Sequence, residues 1–358
     1  MMNINDTSEI LTLVSENMKR ENEKEFPSHE TLPKSEIRQA SSKSTMHHLV
    51  HIARPVMTFA VGNHQLKRVN RDIYSPFELL YRLVEHGPYF YPISAIELLE
   101  LFEETSNTFS ADPSLLELDG EITVIGDLRG KYENLHRWLQ LTGWPPRNRL
   151  LFLGGIIDSD ETGSIECLAL ICCLKNCFPE HVFILRGAPE TLQFSTAQRF
   201  HPKISEALAS CVKRMCAQMP FSAIIGNSIL AVYSGVSPLV KGKSNLRNLH
   251  RPALPSSLTQ LENHLIFNQP SNNVRMYRPH MKSRGDWFGR QAVKLCCKSV
   301  GVSMIVRGHS CLRNGYLPCW RHRLINLWSS PGKNSDVGAV LHIAADLKVT
   351  PILMKAEY

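Results

Sequence analysis

Three features are missing from this sequence, and each absence narrows the class of protein. Lys and Arg are spread along the chain without a dense basic run, which argues against nucleic-acid binding even though the net charge is +7. No CxxC pair occurs among the ten cysteines, so no zinc ribbon or redox motif is indicated. The longest apolar stretch near the N-terminus, residues 49–62, is interrupted by His51 and Arg54 and is too short to span a bilayer. We therefore expect neither a nucleic-acid nor a membrane partner.

The cysteines are placed like small apolar residues. Most of them lie in apolar, helix-like segments, where a thiol behaves as a small hydrophobe. Asp6, Glu9 and Glu16 lie close to the start, which argues against a secretory or transit sequence. We expect a reducing compartment, either the cytoplasm or the nucleus. The clustered cysteines are Cys167, Cys172, Cys173, Cys177, Cys296 and Cys297.

Composition divides the chain into an N-terminal extension, residues 1–72, and a folded domain, residues 73–358. Residues 16–44 mix Glu, Lys, Arg, Ser and Pro with few periodic apolar residues, so they bury too little apolar surface to offset the entropy of ordering. We expect the extension to be disordered. Residues 47–61 are more apolar, and they fit either a strand or partner motif docked on the domain or a loosely attached linker.

Helix and strand signals alternate in the first part of the domain, which predicts an α/β fold. Ser75 followed by Glu78, and Ser94 followed by Glu97, are capping-box patterns that predict helix starts. Beyond residue 221 strand-like runs dominate, and Gly226-Asn227 predicts a hairpin turn. Further predicted helices cover residues 131–141, 161–177, 204–218 and 258–265.

The domain is organised around the stretch ITVIGDLRG, residues 122–130. Four β-favouring residues end in a glycine and then an acid, Asp127, so a buried strand delivers a carboxylate to a loop. Ligands collect at the carboxyl ends of strands in open α/β sheets, which makes this acid a candidate functional residue. Comparable loops end three later strand-like runs, at residues 150–160, 181–190 and 303–309.

Together with a shorter motif, these loops resemble the phosphoprotein phosphatase (PPP) family of Ser/Thr phosphatases, in particular the type-1 enzymes. Active members of that family read GDxHG, GDxVDRG, GNHE, HGG and RAH. The corresponding text here is GDLRG at 126–130, GGIIDSD at 154–160, GAPE at 187–190, SGV at 234–236 and RGH at 307–309. The resemblance implies a calcineurin-like metallophosphoesterase fold of the α/β class, in which two mixed β-sheets form a sandwich flanked by helices.

The resemblance also implies that six positions would ligate two metal ions in an active member. Asp127 matches the first aspartate and His309 the last histidine, and these two would belong to different metals. Gly155 replaces the carboxylate that bridges the metals, and without it two dications at close range repel with little compensation. We therefore expect no cofactor, or one Mn-, Fe- or Zn-type ion if any activity remains. The positions without the expected ligand are Arg129, Gly155, Ala188 and Ser234.

The general acid and the phosphate-binding residues are also altered relative to the family. Pro189 stands where the family has the histidine that protonates the leaving group, and proline has no side-chain proton to donate. Asp158 matches the aspartate that orients that histidine. Arg284 resembles one phosphate-binding arginine, whereas Ser159 takes the place of another. No catalytic residue is therefore expected to function.

Arg129 takes the place of a metal-ligating histidine. A guanidinium stays protonated and has no lone pair to donate, so it is a fixed cation where a metal ion would lie. We expect Arg129 to compensate the charge of Asp127 and Asp158 by bridging both. The alternative is that it points into solvent.

Three hypotheses of function follow from these residues. The first is a pseudophosphatase that binds proteins, such as phosphatase regulatory or substrate-like proteins, without hydrolysis. The second is a weak metal-dependent Ser/Thr phosphatase that uses Asp127 and His309. The third is a phosphate-binding module in which Arg129, Arg284 and Arg307 converge. The first is favoured, because the loss of one preorganised electrostatic group already costs on the order of a hundredfold in rate.

The resemblance also implies a regulatory groove near residues 304–306 and 316–320. Gly301 and Ser303 stand where acids are expected beside that groove, and Pro318 stands where an aromatic residue is expected. We therefore do not expect the usual basic-hydrophobic docking motifs of regulatory proteins to bind there.

Overall fold

The computed structural model describes residues 75–89, 93–158, 161, 163–192, 206–281 and 284–357. The N-terminal extension, with its expected disorder and the alternatives for residues 47–61, lies outside the described residues. Within the described part, no helix combines the length and the apolar character that a bilayer-spanning segment requires.

The helices begin where the capping patterns predict them. The N–H of Glu78 donates to the Ser75 hydroxyl, and Ser94 with Glu97 forms a complete capping box. The four other predicted helices are also present, with ends shifted by at most three residues. The helices are α1 Pro76–His86, α2 Ala95–Ala111, α3 Tyr132–Thr142, α4 Ser164–Cys177, α5 Ala188–Leu192, α6 Glu206–Ala217, α7 Lys243–Arg247, α8 Gln260–Phe267 and α9 Arg290–Val300.

The strands form two large mixed sheets and one small sheet. The six-stranded sheet has the order β1-β5-β6-β10-β12-β11, the five-stranded sheet β14-β13-β2-β3-β4, and the small sheet β7-β9-β8. The strands are β1 Leu115–Leu118, β2 Ile122–Ile125, β3 Leu150–Phe152, β4 Val182–Ile184, β5 Ser222–Ile225, β6 Ile229–Val232, β7 Gln269–Pro270, β8 Tyr277–Pro279, β9 Asp286–Phe288, β10 Met304–Arg307, β11 Tyr316–Cys319, β12 Leu324–Leu327, β13 Val337–Ile343 and β14 Val349–Lys355.

The two large sheets pack face to face, and helices cover both outer faces. Val124 of β2 and Val306 of β10 lie in the apolar layer between the sheets. The next residue of β2, Ile125, points to the opposite face and packs with the first helices, because side chains alternate along a strand. Ile305 likewise packs with α7 to α9 on the other outer face. The predicted helix-flanked sandwich is therefore confirmed.

Strand direction brings the motif loops to one edge of this sandwich. β2, β3 and β4 are mutually parallel, and so are β6, β10 and β12. The loops that follow parallel strands of one sheet emerge at the same edge. A bridge between Asp127 and Trp328, together with the Gly126 N–H donating to the Ser329 hydroxyl at 2.8 Å, connects the two sheets there.

Candidate functional site

Backbone hydrogen bonds fix the first two motif loops against each other. The N–H groups of Leu128 and Arg129 both donate to the Gly155 carbonyl at 2.9 Å, and the N–H of Gly130 donates to Ile156 at 2.7 Å. The positions of Asp127, Arg129 and Gly155 are therefore set by main-chain contacts.

Glu190 holds the second and third loops together. Its buried carboxylate accepts hydrogen bonds from the N–H groups of Gly155 at 3.0 Å, Ile156 at 2.8 Å and Gly187 at 3.0 Å. Burial raises the pKa of Glu190, and the backbone donors oppose that rise. Because its oxygens are engaged by main-chain donors, Glu190 shapes the loops and is not free for chemistry.

Asp127 is the central acid of the site and is fully buried. Its Oδ1 accepts the hydroxyl of Tyr233 at 3.0 Å, and its Oδ2 accepts the N–H of His309 at 2.6 Å. Burial raises the pKa of Asp127 to about 6, while the His309 N–H and the charge of Arg129 limit the rise. Both oxygens of this carboxylate are therefore satisfied by groups of the chain itself.

His309 extends this network as a neutral imidazole. Burial, with the nearby charges of Arg307 and Arg129, lowers the pKa of His309 to about 3. Its Nδ1 lies 3.1 Å from the Tyr233 hydroxyl oxygen, and its Nε2 lies 3.3 Å from Nε2 of Gln269. The Tyr233 proton goes to Asp127, so Nδ1 of His309 carries its proton and donates to the tyrosine oxygen. Nε2 then accepts from the Gln269 amide, which gives a continuous chain of four side chains.

Two glycines make room for the Asp127 carboxylate. A Cβ placed on Gly155 would lie 2.3 Å from Oδ1 of Asp127, and one placed on Gly308 would lie 2.7 Å from Oδ2. Gly155 also has a φ of +68°, which disfavours any L side chain. The carboxylate of Asp127 therefore occupies space into which side chains at 155 and 308 would project.

Arg129 forms an ion pair with Asp158, with 2.8 Å between Nε and Oδ2. The prediction that Arg129 bridges both acids is wrong in one half, because the hydrogen bonds to Asp127 come from Tyr233 and His309 instead. About a third of the Arg129 side chain is exposed, at 33%, whereas Asp127 is closed off from solvent. Arg129 thus affects Asp127 through its charge and contacts Asp158 directly.

The other predicted site positions carry no titratable ligand. Ala188 and Pro189 begin the short helix α5. The hydroxyl of Ser234 donates to the Asn268 carbonyl at 2.6 Å, so its proton is used inside the fold.

The expected convergence of arginines does not occur. Arg307 is fully buried and donates to Ser234, to Ser310 at 2.7 Å and to Asn326 at 2.9 Å, whereas Arg284 is exposed. Arg307 is therefore committed to the interior and cannot share a ligand with Arg284.

Residues 120–313, more than half of the chain, match the family described as calcineurin-like phosphoesterase. The chain belongs to this family. A serine/threonine-protein phosphatase of Caenorhabditis elegans is 28% identical over 277 residues, which are 74% of this chain and 60% of that relative. This chain thus spans less than two thirds of that relative's length. Serine/threonine-protein phosphatase PP1-delta of the same organism is 27% identical over 70% of this chain and 84% of its own.

A solved structure supports the same fold for this phosphoesterase-like chain. A protein serine/threonine phosphatase from Saccharomyces cerevisiae, described as similar to human phosphatase PP5, matches with a TM-score of 0.71 at 20% identity. The match covers 78% of this chain and 96% of that one. At 20% identity this match shows the fold alone, which is the calcineurin-like fold that the motifs predicted.

The residues of this family member do not fit a two-metal centre. Such a centre needs lone pairs from carboxylates and imidazoles held in fixed positions. Asp127 uses both oxygens in hydrogen bonds, and Nδ1 of His309 faces Tyr233. Arg129 has no lone pair to donate, and the Ser234 hydroxyl is taken up by Asn268, to which it donates, and by Arg307, from which it accepts. Among the residues the structure describes, no three His, Cys, Asp or Glu side chains are grouped so that they could hold a metal ion.

Sequence reasoning missed Tyr233, Gln269 and Gly308. Gly308 left a visible signal, since the last motif reads RGH where the family pattern has RAH. Tyr233 lies directly after β6 and directly before the SGV motif, and from this position its hydroxyl group reaches the site. Gln269 carries no signal, because its contact with His309 depends on the path of the loop after α8.

Our first prediction concerns the pH dependence of Asp127. Its carboxyl ionises near 3.8 in the unfolded chain but near 6 in the folded state, so the folded state binds more protons between these pH values. The free energy of unfolding should therefore fall as pH rises through this window, by about 3 kcal/mol in total. Asp127→Asn removes this contribution.

Denaturant unfolding of both proteins at several pH values checks this prediction. The Asn variant should gain roughly 2.5 kcal/mol relative to the natural protein between pH 4 and pH 7, with little further gain above pH 7. Protonation of His309 is common to both proteins and largely cancels in the difference. A difference that does not change with pH would contradict the buried, ionisable carboxyl.

The second prediction separates two reasons why position 155 requires glycine: the left-handed φ and the contact with the Asp127 carboxylate. Gly155→Ala should destabilise by about 2–4 kcal/mol, because the methyl group meets Asp127 at a left-handed φ. Gly301→Ala is the matched control, since Gly301 has a φ of +79° and nothing within 4 Å of its added Cβ. The control should cost only about 1 kcal/mol, the strain alone. Asp127→Ala should rescue part of the loss at 155 and none at 301, and equal losses would contradict the clash.

A third prediction concerns Arg129. The coupling energy between Arg129→Ala and Asp158→Asn should be about 1 kcal/mol or less, because the ion pair is partly exposed. The coupling energy between Arg129→Ala and Asp127→Asn should be smaller still. No hydrogen bond joins these two side chains, and solvent screens the attraction between their charges. Two double-mutant cycles by denaturant unfolding measure both energies. A coupling to Asp127 larger than the coupling to Asp158 would instead support the arrangement in which Arg129 bridges both acids.

Proposed function

We propose that this PPP-family chain is a pseudophosphatase, which acts in the cytoplasm or nucleus by binding proteins and does not hydrolyse phosphoesters. The single observation that carries the proposal is the position of the Asp127 carboxylate, which fills the space beside Gly155 where the family resemblance expects a bridging ligand. With Asp127 in this position, a bridging carboxylate at 155 could not be accommodated unless Asp127 moved.

Loss of proton transfer supports the same proposal. The family's leaving-group acid corresponds to Pro189, which cannot donate a proton, and Asp158 is engaged by Arg129. Metal ions, a general acid and phosphate-binding arginines each make a large contribution to the rate of phosphate monoester hydrolysis. A site that lacks the metals, the acid and one arginine loses several of these contributions at once.

A binding role is consistent with what remains. The helix-flanked sandwich is intact, and Glu190 and the network of Asp127 keep the loops ordered by hydrogen bonds within the chain. Such a rigid domain presents its surface to partners without any chemical step.

We expect the purified chain to give no hydrolysis of an aryl phosphate or a phosphopeptide with Mn²⁺ present. In the same preparation, the thermal midpoint should stay unchanged on addition of Mn²⁺ or a chelator, because a metal that binds only the folded state would raise it. Turnover that disappears in a folded Asp127→Asn variant would instead establish the weak metal-dependent phosphatase. A midpoint that rises steeply with Mn²⁺ would contradict the closed site.

A further inference from the structure

Charge is distributed unevenly along this chain. Between Ala207 and Ser335 there are eighteen Lys and Arg residues but only two acids, Glu262 and Asp286. The whole chain has a net charge of +7, so the remainder is net acidic. Basic residues that look dispersed along the sequence are therefore concentrated in the part of the fold that forms most of the six-stranded sheet and its helices.

Helix α9 displays part of this charge in a regular row. Its inner face buries Ala292, Val293, Cys296 and Cys297 against the core. Arg290, Lys294 and Lys298 are all exposed on the outer side. Residues four apart lie on the same side of a helix, about 6 Å from one another along the axis. The three cations thus form a row about 12 Å long.

Two further arginines flank this row. The carbonyl of Arg275 accepts the N–H of Gln291 in the first turn of α9 at 3.1 Å. The carbonyl of Arg323 accepts the N–H of Ile305 at 2.9 Å, on the strand that α9 packs against. Burial raises the pKa of the Cys297 thiol to about 11, and the charge of Arg323 opposes that rise, which locates Arg323 beside α9. We call the exposed set the basic face: Arg275, Arg290, Lys294, Lys298 and Arg323.

The cations of the basic face lack acidic neighbours. Among the described residues, none of its members forms an ion pair, although other exposed cations do, such as Arg247 with Glu117 and Arg313 with Asp336. The nearest acid in sequence, Asp286, lies 3.5 Å from His264 instead. Five like charges left unmatched on one surface produce a strong positive field that an anionic partner relieves.

The loop from β11 to β12 adds to this surface. Trp320, Arg321 and His322 have φ values of 53°, 60° and 61°, an uncommon left-handed run of non-glycine residues. Trp320 anchors the loop, since its indole N–H donates to Asn272 at 3.1 Å and its ring lies 6.4 Å from that of Phe288. Backbone strain of this kind persists only where surrounding contacts impose it. The loop is thereby held with Arg321 and His322 exposed next to the basic face.

The apolar groups near these cations distinguish between classes of anionic partner. Leu295, 42% exposed, lies beside Lys294 on α9. The exposed large apolar side chains of the described part are Leu, Ile and Met, and none of them is aromatic. Single-stranded nucleic acids bind largely by stacking bases on exposed aromatic rings. The indole of Trp320 on the adjoining loop is only partly exposed, and Asn272 and Phe288 hold it in place. Cations mixed with an aliphatic side chain suit a peptide that carries both acids and apolar residues.

The spacing of the row fits such a peptide. Alternate residues of an extended chain lie about 6.6–6.8 Å apart and point to the same side. Three acids at alternate positions would therefore meet Arg290, Lys294 and Lys298 along the row of about 12 Å. We propose that the basic face binds an acidic, extended segment of a partner protein, with Leu295 receiving one of its apolar side chains. This deepens the proposed protein-binding function by naming the chemistry of the partner.

Fluorescence anisotropy on the full chain tests this proposal. The probe is a fluorescein-labelled twelve-residue peptide in which Glu alternates with Ser and Leu, and its Gln-substituted version serves as the uncharged control. The double variant Lys294→Glu, Lys298→Glu should weaken binding of the acidic peptide by about tenfold or more. The matched variant Lys348→Glu, Lys355→Glu changes net charge equally at exposed positions near and on β14 and should weaken it by less than about threefold.

Each outcome has a defined meaning. Selective loss in the α9 variant, repeated in the milder Lys294→Gln, Lys298→Gln variant, supports the basic face. Equal losses in both charge-reversal variants, or no binding of the acidic peptide, overturn it. Tighter binding of a twelve-nucleotide single-stranded DNA, or of phosphatidylserine vesicles, also overturns it in favour of another anion. Phosphatase activity is measured on the same samples, because hydrolysis would contradict the pseudophosphatase proposal without bearing on the peptide.

Discussion

One buried carboxylate receives hydrogen bonds from across the two sheets at the edge where the motif loops lie. Asp127 follows β2 in the five-stranded sheet, whereas Tyr233 and His309, which donate to it, follow β6 and β10 in the six-stranded sheet. A buried carboxylate needs such partners, because the solvation it lost costs several kcal/mol when nothing replaces it. The surrounding edge is arranged to meet this requirement, with Glu190 fixing the neighbouring loops and the two glycines leaving room for the acid.

Local sequence signals were enough for the scaffold but not for the contacts inside the site. Capping patterns located the helix starts, because they depend on residues close together in the chain, whereas the two-sheet sandwich was implied by the family resemblance of the motifs. The identities of Arg129, Gly155 and Pro189 likewise revealed which chemical groups are absent. The partners of the surviving acids could not be predicted, since Tyr233 reaches Asp127 and Arg129 prefers Asp158 only through the packing of distant loops. The strands β7 to β9, of two or three residues each, are too short for an alternating pattern to register.

Charge inside the domain and charge on its surface follow different rules. In the interior, Glu190 has its backbone donors and Arg307 has three acceptor residues, which offset the loss of water around these charges. The exterior of α9 carries cations without any described counter-ion, because water screens them at little cost. This contrast is not visible in the sequence, because cations four residues apart do not form a consecutive basic run. They form a continuous row only when the segment folds into helix α9.

The crowding between Gly155 and Asp127 also limits which substitutions this site accepts. A side chain at 155 and the present position of the Asp127 carboxylate exclude each other. Reinstating a side chain at 155 first requires Asp127 to give up Tyr233 and His309, and that step has no benefit until the other ligands are back. The two positions are therefore coupled, and the order in which they are substituted, and not the number of substitutions alone, decides whether the buried carboxylate keeps its partners at each step.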